Sequence, residues 1–225
     1  LQLPSDNPRP TVQTFTGNLI TLELNPELTQ ALDKFRNQAK TTLFMTLLAT
    51  FKVLLYRYTG QVDILIGTPI ANRQRLEIES LIGFFVNTLV LRTDLSGNPA
   101  FTNLLAQVRQ VALDAYKHQD LPFEMLVEAL QPTRSLSHSP LFQAMFVLQH
   151  APLGEFELAG LPFTRLEVLD HTTKFDLTLS MEGRSAGLIG RWEYNTDLFE
   201  RATIERMTSH FQVLLEAIVA NPDAH

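Results

Sequence analysis

The sequence predicts an α/β fold, a mixed sheet with flanking helices, on three observations. Strand-period and helix-period segments interleave through the first two thirds of the chain. The stretch 155–195 is rich in short alternating segments with a hairpin signal. Two runs, Leu81–Arg92 and Leu141–Gln149, are apolar enough for strands buried on both faces.

The elements follow in order. Residues 1–10 hold three prolines with Ser5, Asp6 and Asn7, and read as an extended linker that something precedes. From Phe15 to Leu24, Ile20, Leu22 and Leu24 alternate with Thr21 and Glu23 as in a half-buried strand. Asn25 and Pro26 supply an N-cap and a first-turn proline for a helix to Lys40, with Leu28, Leu32 and Phe35 on one face. A second helix starts after Thr41 or Thr42 and stops at Gly60. It is apolar almost all round, so it is buried on most sides.

A strand over Val62–Gly67 leads into a polar connection, Thr68–Ser80. Loops of about a dozen residues are uncommon without a job. Here Arg73, Arg75, Glu77 and Glu79 are solvated or paired with one another, or Arg73 serves in binding. Leu81–Arg92 then reads as a buried strand starting at Gly83. Asn87, set among Phe84, Phe85, Val86, Leu89 and Val90, needs hydrogen-bond partners there, because an unsatisfied buried amide costs about 1–3 kcal/mol. It either pins a neighbouring loop or faces a channel.

Gly97, Asn98 and Pro99 open a helix that runs to Lys117, and Pro122 separates it from a shorter one ending at Leu130. Residues 134–139 form a polar turn before the Leu141–Gln149 run, which suits a central strand. Gly183–Gly187 joins two alternating strands, and a final helix spans Phe199–Val219.

Composition excludes several function classes. The 225 residues carry a formal charge of −6 and no Lys/Arg cluster, which argues against nucleic acid as a partner. No run reaches the roughly 18 apolar residues that span a bilayer, and no signal peptide is visible, so the expected location is cytoplasmic. Cysteine is absent. Six histidines lack the spacing of a metal site. Ser137, His138 and Ser139 are neighbours in a turn, which does not make a triad. His118 with Asp120 reads either as an oriented base or as a histidine at a helix end interacting with the macrodipole.

Three blocks go further. IGFFVNTLVLR (82–92), HQDLPFE (118–124) and RSLSHSPLFQ (134–143) resemble, in order and spacing, three successive motifs of the condensation domain of nonribosomal peptide synthetases. Residues 67–83 are similar to the family segment just before the first of them. The resemblance implies one lobe of a two-lobed fold related to chloramphenicol acetyltransferase, with the active site in the tunnel between the lobes. The family's catalytic HHxxxDG motif is absent, since no two histidines are adjacent. The resemblance therefore implies the C-terminal lobe alone: 1–14 as linker from a missing N-terminal lobe, 15–225 as the lobe.

The implied chemistry is amide formation between an acyl or peptidyl thioester and an aminoacyl thioester, each presented on the phosphopantetheine arm of a carrier domain. No cofactor or metal is expected on the lobe itself, and the isolated chain is expected to be inactive. Expected partners are the N-terminal lobe, upstream and downstream carrier domains and an adjacent adenylation domain. By motif match, Gly83, Asn87 and Ser139 are the tunnel candidates, Ser139 standing where many members carry Asn. Arg73, Gln119, Asp120, Pro122, Glu124 and Arg134 are assigned to the structure of the motifs. The hairpin Lys174–Tyr194 is matched to the latch that crosses to the first lobe, which would shield its edges. The motifs resemble members joining L-configured donors to L-configured acceptors. Alternatives are a non-catalytic docking lobe, or the same lobe of an epimerisation or heterocyclisation domain.

Overall fold

The computed structural model describes residues 1–133, 135–149, 171–184 and 187–225. Among them, six strands form one mixed sheet: β1 (Gly17–Leu24), β2 (Asp63–Ile70), β3 (Asn87–Asp94), β4 (Ala144–Gln149), β5 (Leu177–Arg184) and β6 (Gly187–Asn195), in the order β1-β6-β5-β4-β2-β3. The pairs β1/β6, β5/β6 and β2/β3 are antiparallel. β4 runs parallel to both β2 and β5 and so joins two antiparallel units. The expectation of a central strand in LFQAMFVLQ is met.

The helices are α1 (Pro26–Gln38), α2 (Leu43–Thr59), α3 (Leu76–Glu79), α4 (Phe101–Lys117), α5 (Phe123–Leu130) and α6 (Arg201–Ala220). Local chemistry fixes α2 at both ends. Thr42 Oγ1 accepts from Met45 N–H at 3.2 Å, and Gly60 at φ 68° takes the left-handed C-cap that a side chain would disfavour. Its apolar girth is buried as expected, against α4, α6 and β2. Edge-on aromatic pairs run from Phe51 of α2 through Trp192 of β6 to Phe211 of α6, with centroids 5.7 and 5.6 Å apart. Among the described residues no single helix is long and apolar enough to cross a membrane.

A lysine lies inside this core. Lys52 of α2 is fully buried, and its Nζ donates to Leu91 O and Thr93 Oγ1, both at 2.7 Å, and to Ile64 O at 3.4 Å. It thereby fastens α2 to β2 and β3. Burial lowers the amine pKa to about 7, opposed in part by the charge of Asp63.

Several expectations are corrected. The strand placed at Gly83 begins at Asn87, and among the described residues β3 is an edge strand of the sheet. Leu81, Ile82, Phe84 and Val86 before it are exposed. Composition alone registers that a stretch is apolar; whether the surface that covers it belongs to the same chain is a tertiary matter. The polar connection is shorter than predicted, because β2 continues to Ile70 and α3 occupies four of its residues. The hairpin matched to a crossover latch lies inside the sheet: β5 pairs with β4 and β6, and β6 with β5 and β1. No edge of it needs another lobe. The strand segment in 155–170 and the turn residues 185–186 lie outside the described residues.

Residues 1–14 are strapped onto this frame. Asp6 and Asn7 N–H donate to Leu198 O at 2.9 and 3.1 Å. Arg9 pairs with Asp176, whose side chain is 4% exposed, and donates to Ser137 O at 3.2 Å. Gln13 N–H reaches Leu136 O at 2.7 Å.

Candidate functional site

Asn87 opens β3 and faces the connection between α4 and α5. Its Nδ2 donates to Gln119 O and Leu121 O, both at 2.8 Å, while its Oδ1 accepts from Phe123 N–H at 3.1 Å and Thr88 N–H at 2.9 Å. Two donors and two lone pairs exhaust the amide. Of its two readings, the geometry is that of a pin on a loop. The second motif is thereby attached to the first.

Asn87→Ala will strip partners from Gln119 O, Leu121 O and Phe123 N–H in a partly exposed place, at about 1–2 kcal/mol. Urea titration will read the loss, and hydrogen exchange at the Phe123 amide will accelerate at least tenfold. Unchanged protection there would remove the pin from the account.

The remaining residues of the second motif serve the same connection. His118 is the C-cap residue of α4. Gln119 Nε2 donates to Tyr116 O at 2.8 Å, and Asp120 accepts from Gln74 at 3.5 Å. Pro122 occupies the N-cap position of α5, and Glu124 lies in its first turn, where a carboxylate suits the helix dipole. Phe142 holds α5 to the sheet, its ring edge-on to Phe123 and tilted against Phe175 with centroids 5.7 and 5.3 Å away. That ring fills the space over Gly67 of β2, where a Cβ would meet it at 2.3 Å.

Arg73 is half-buried and is bonded to backbone carbonyls rather than to the Glu77 or Glu79 side chains. Its Nη1 donates to Ile78 O, Glu79 O and Leu81 O at 2.5, 3.3 and 2.8 Å, and its Nη2 to Gly83 O at 3.4 Å. The guanidinium carbon sits 4.3 Å from the centre of the Phe85 ring. Gly83 is exposed, four residues before β3, and is not part of a strand.

In the third motif, His138 Nδ1 lies 3.0 Å from Ser139 O, a backbone atom, and Ser137 Oγ is 2.8 Å from Ser135 Oγ. No serine hydroxyl is hydrogen-bonded to a histidine among the described residues, so no nucleophile is activated there. Ser139 is half-buried. His138 lines two cavities, one of about 850 Å³ with Glu124, Val127, Gln131 and Leu136, the other of about 540 Å³ with Arg9, Ser137 and Gln143. Arg134 lies outside the described residues. Among them, no cluster of three or more His, Asp or Glu could hold a metal ion.

Sequence reasoning missed Arg9, Lys52 and Gln143. Gln143 is buried, with Nε2 donating to Ser139 O at 3.3 Å and Oε1 without a partner among the described residues. A signal existed for Lys52, the one charge in the middle of an otherwise apolar helix. None existed for the other two.

The first and second motifs thus meet at β3, and the third leads into the interior strand β4. The condensation domain family model matches residues 1–225, and the chain belongs to that family. It is 57% identical over 225 residues to one component of the linear gramicidin synthase of Brevibacillus parabrevis, covering 99% of this chain and 4% of that protein. It is 46% identical to malpinin synthetase of Mortierella alpina over 223 residues, covering 99% of this chain and 3% of that protein. Among solved structures, the X-domain from teicoplanin biosynthesis superposes with a TM-score of 0.92 at 27% identity, over 99% of this chain and 51% of the other. A four-domain nonribosomal peptide synthetase bound to AMP and glycine gives 0.89 at 29% identity, over 99% and 18%. The chain is thus one lobe of a chloramphenicol acetyltransferase-like fold. It spans a few per cent of the length of the synthetases it matches and about half of the X-domain chain.

Proposed function

We propose that this chain is the C-terminal half of a condensation domain and forms one wall of a channel in which two carrier-bound thioesters are joined by an amide bond. The acid–base histidine comes from the other half, which bears the HHxxxDG motif. The carriers present both substrates on phosphopantetheine arms, so the arm is substrate here and not a resident group. What this half supplies is position: the second motif pinned by Asn87, the strap through Arg9, and the cavities at His138. Holding two tethered reactants in line is the larger part of such catalysis. Ser139 and Gly83 are the proposed contacts to substrate, and an adjacent adenylation domain loads the acceptor.

The observation that carries the reading is an exposed apolar band. Ile82 and Phe84 are 105% and 91% exposed and Leu76 80%, with Leu81 and Val86 beside them. Leu121 and Met125, in the region that Asn87 ties to the same place, extend it. An exposed apolar band marks a surface that a partner covers, and the match to about half of the X-domain chain makes the other half the partner expected there.

The test is intact mass spectrometry of two loaded carrier proteins incubated with this chain alone, or with this chain joined in one polypeptide to the HHxxxDG half. A dipeptidyl mass is expected only with the joined protein. Product from the chain alone would move the chemistry to His118 or His138. No product from a folded joined protein would end the reading.

A further inference from the structure

The segment Arg73–Val86 combines two properties that rarely coincide. Its backbone is fixed: one guanidinium gathers the carbonyls of Ile78, Glu79, Leu81 and Gly83 and lies against the Phe85 ring. Its apolar side chains are nevertheless in water, Leu76, Leu81, Ile82, Phe84 and Val86 all being exposed. α3, the only regular element within it, is a single turn with no buried residue. Nothing in the hydrophobic core holds the segment in shape. Arg73 does.

We propose that Arg73 is a positioning residue that preorganises Leu81–Val86 for docking of the complementary half of the domain. The inference rests on the functional reading above, and the occupant follows from the comparison: the match takes in 99% of this chain but about half of the X-domain chain. Ordering a loop on binding takes free energy from the complex, so a loop ordered beforehand binds more tightly with no additional contact. A fork of five N–H donors suits the task in a way a single ammonium does not, because four carbonyls must be reached from one side chain. The positive charge over Phe85 also fixes the ring next to Phe84 and Val86, at the centre of the exposed run.

The test is titration calorimetry of this chain against the separately produced half that bears HHxxxDG, using the wild type, Arg73→Met, Arg73→Lys, Ile82→Asp with Phe84→Asp, Ile82→Asp alone, and Ile82→Asp with Arg73→Met. The contact substitutions alter only exposed side chains and will leave the melting temperature of the free chain unchanged. They will abolish association. Arg73→Met and Arg73→Lys will each weaken it at least tenfold. Hydrogen exchange of amides 78–85 in the free chain will accelerate in both, with the rest of the lobe unaffected. In the background of Ile82→Asp alone, chosen so that residual binding can be measured, Arg73→Met will have less than a third of its effect, because it acts by presenting that side chain.

A wild-type chain that binds with Arg73→Met binding equally well overturns the inference and leaves the functional reading standing. A wild-type chain that fails to bind, while the joined protein makes no product, overturns the reading itself. Concentration-dependent self-association abolished by Ile82→Asp would give the band to a second copy and overturn the choice of occupant.

Discussion

Arg9→Met will destabilise the chain by about 3 kcal/mol, a fall in melting temperature of about 6–12 °C for a domain of this size. Asp176 is 4% exposed, and its carboxylate takes both terminal nitrogens of Arg9. Without them it is an uncompensated buried charge, and that is the expensive way to break a buried pair. The backbone of the same residue is a junction: its N–H donates to Gln143 O, and its carbonyl accepts from Asn195 N–H, both at 3.1 Å. The loss will therefore spread to the base of the β5–β6 hairpin and to the third motif, whose Ser137 carbonyl also loses a donor. Asp176→Leu combined with Arg9→Met will recover most of the stability, because the buried charge and its partner go together. Urea denaturation of the four proteins closes the cycle. A loss under 0.5 kcal/mol in the single variant would class the pair with ordinary surface ion pairs.

The second large effect is a dependence on pH. The Lys52 amine has an ordinary pKa of 10.5 when exposed and about 7 in the fold. Between those values the unfolded chain holds a proton that the folded chain has released. Raising the pH through that window therefore favours folding, and below pH 7 the full cost of the buried charge is present. The expected gain from pH 7 to 9 is about 2–3 kcal/mol. Lys52→Met keeps the length of the side chain, removes the proton and abolishes this part of the slope. Urea midpoints for both proteins at pH 7, 8 and 9 decide it: the two series must diverge as the pH rises, with the wild type gaining. Parallel series would mean that the amine is hydrated in solution.

What the sequence discloses depends on how far each interaction reaches along the chain. Thr42 and Gly60 bound α2 through contacts within four residues, and both ends are legible. The hairpin of β5 and β6 is equally local. Asn87 announces that it needs partners but not which, because Gln119 lies 32 residues away. Arg9 and Asp176 are 167 apart, and nothing in a proline-rich opening points to a partner there. The motif blocks are recognisable as blocks, while the division of labour inside them is not. Arg73 reads as one charge in a polar loop and proves to hold that loop's backbone. The run after Gly83 reads as core because apolar character is counted without knowing what surface will meet it.

The pairing of the first strand with the last sets a timetable for synthesis. Thr196 is hydrogen-bonded to Thr16, 180 residues earlier, and among the described residues β1 has no neighbouring strand in the sheet besides β6. A ribosome adding about 5–20 residues per second leaves β1 without its partner for about 10–35 s. During that interval the strand is an open edge in a crowded cell, and the polar Thr21 and Glu23 that interrupt its apolar positions are its protection against pairing with a neighbouring nascent chain.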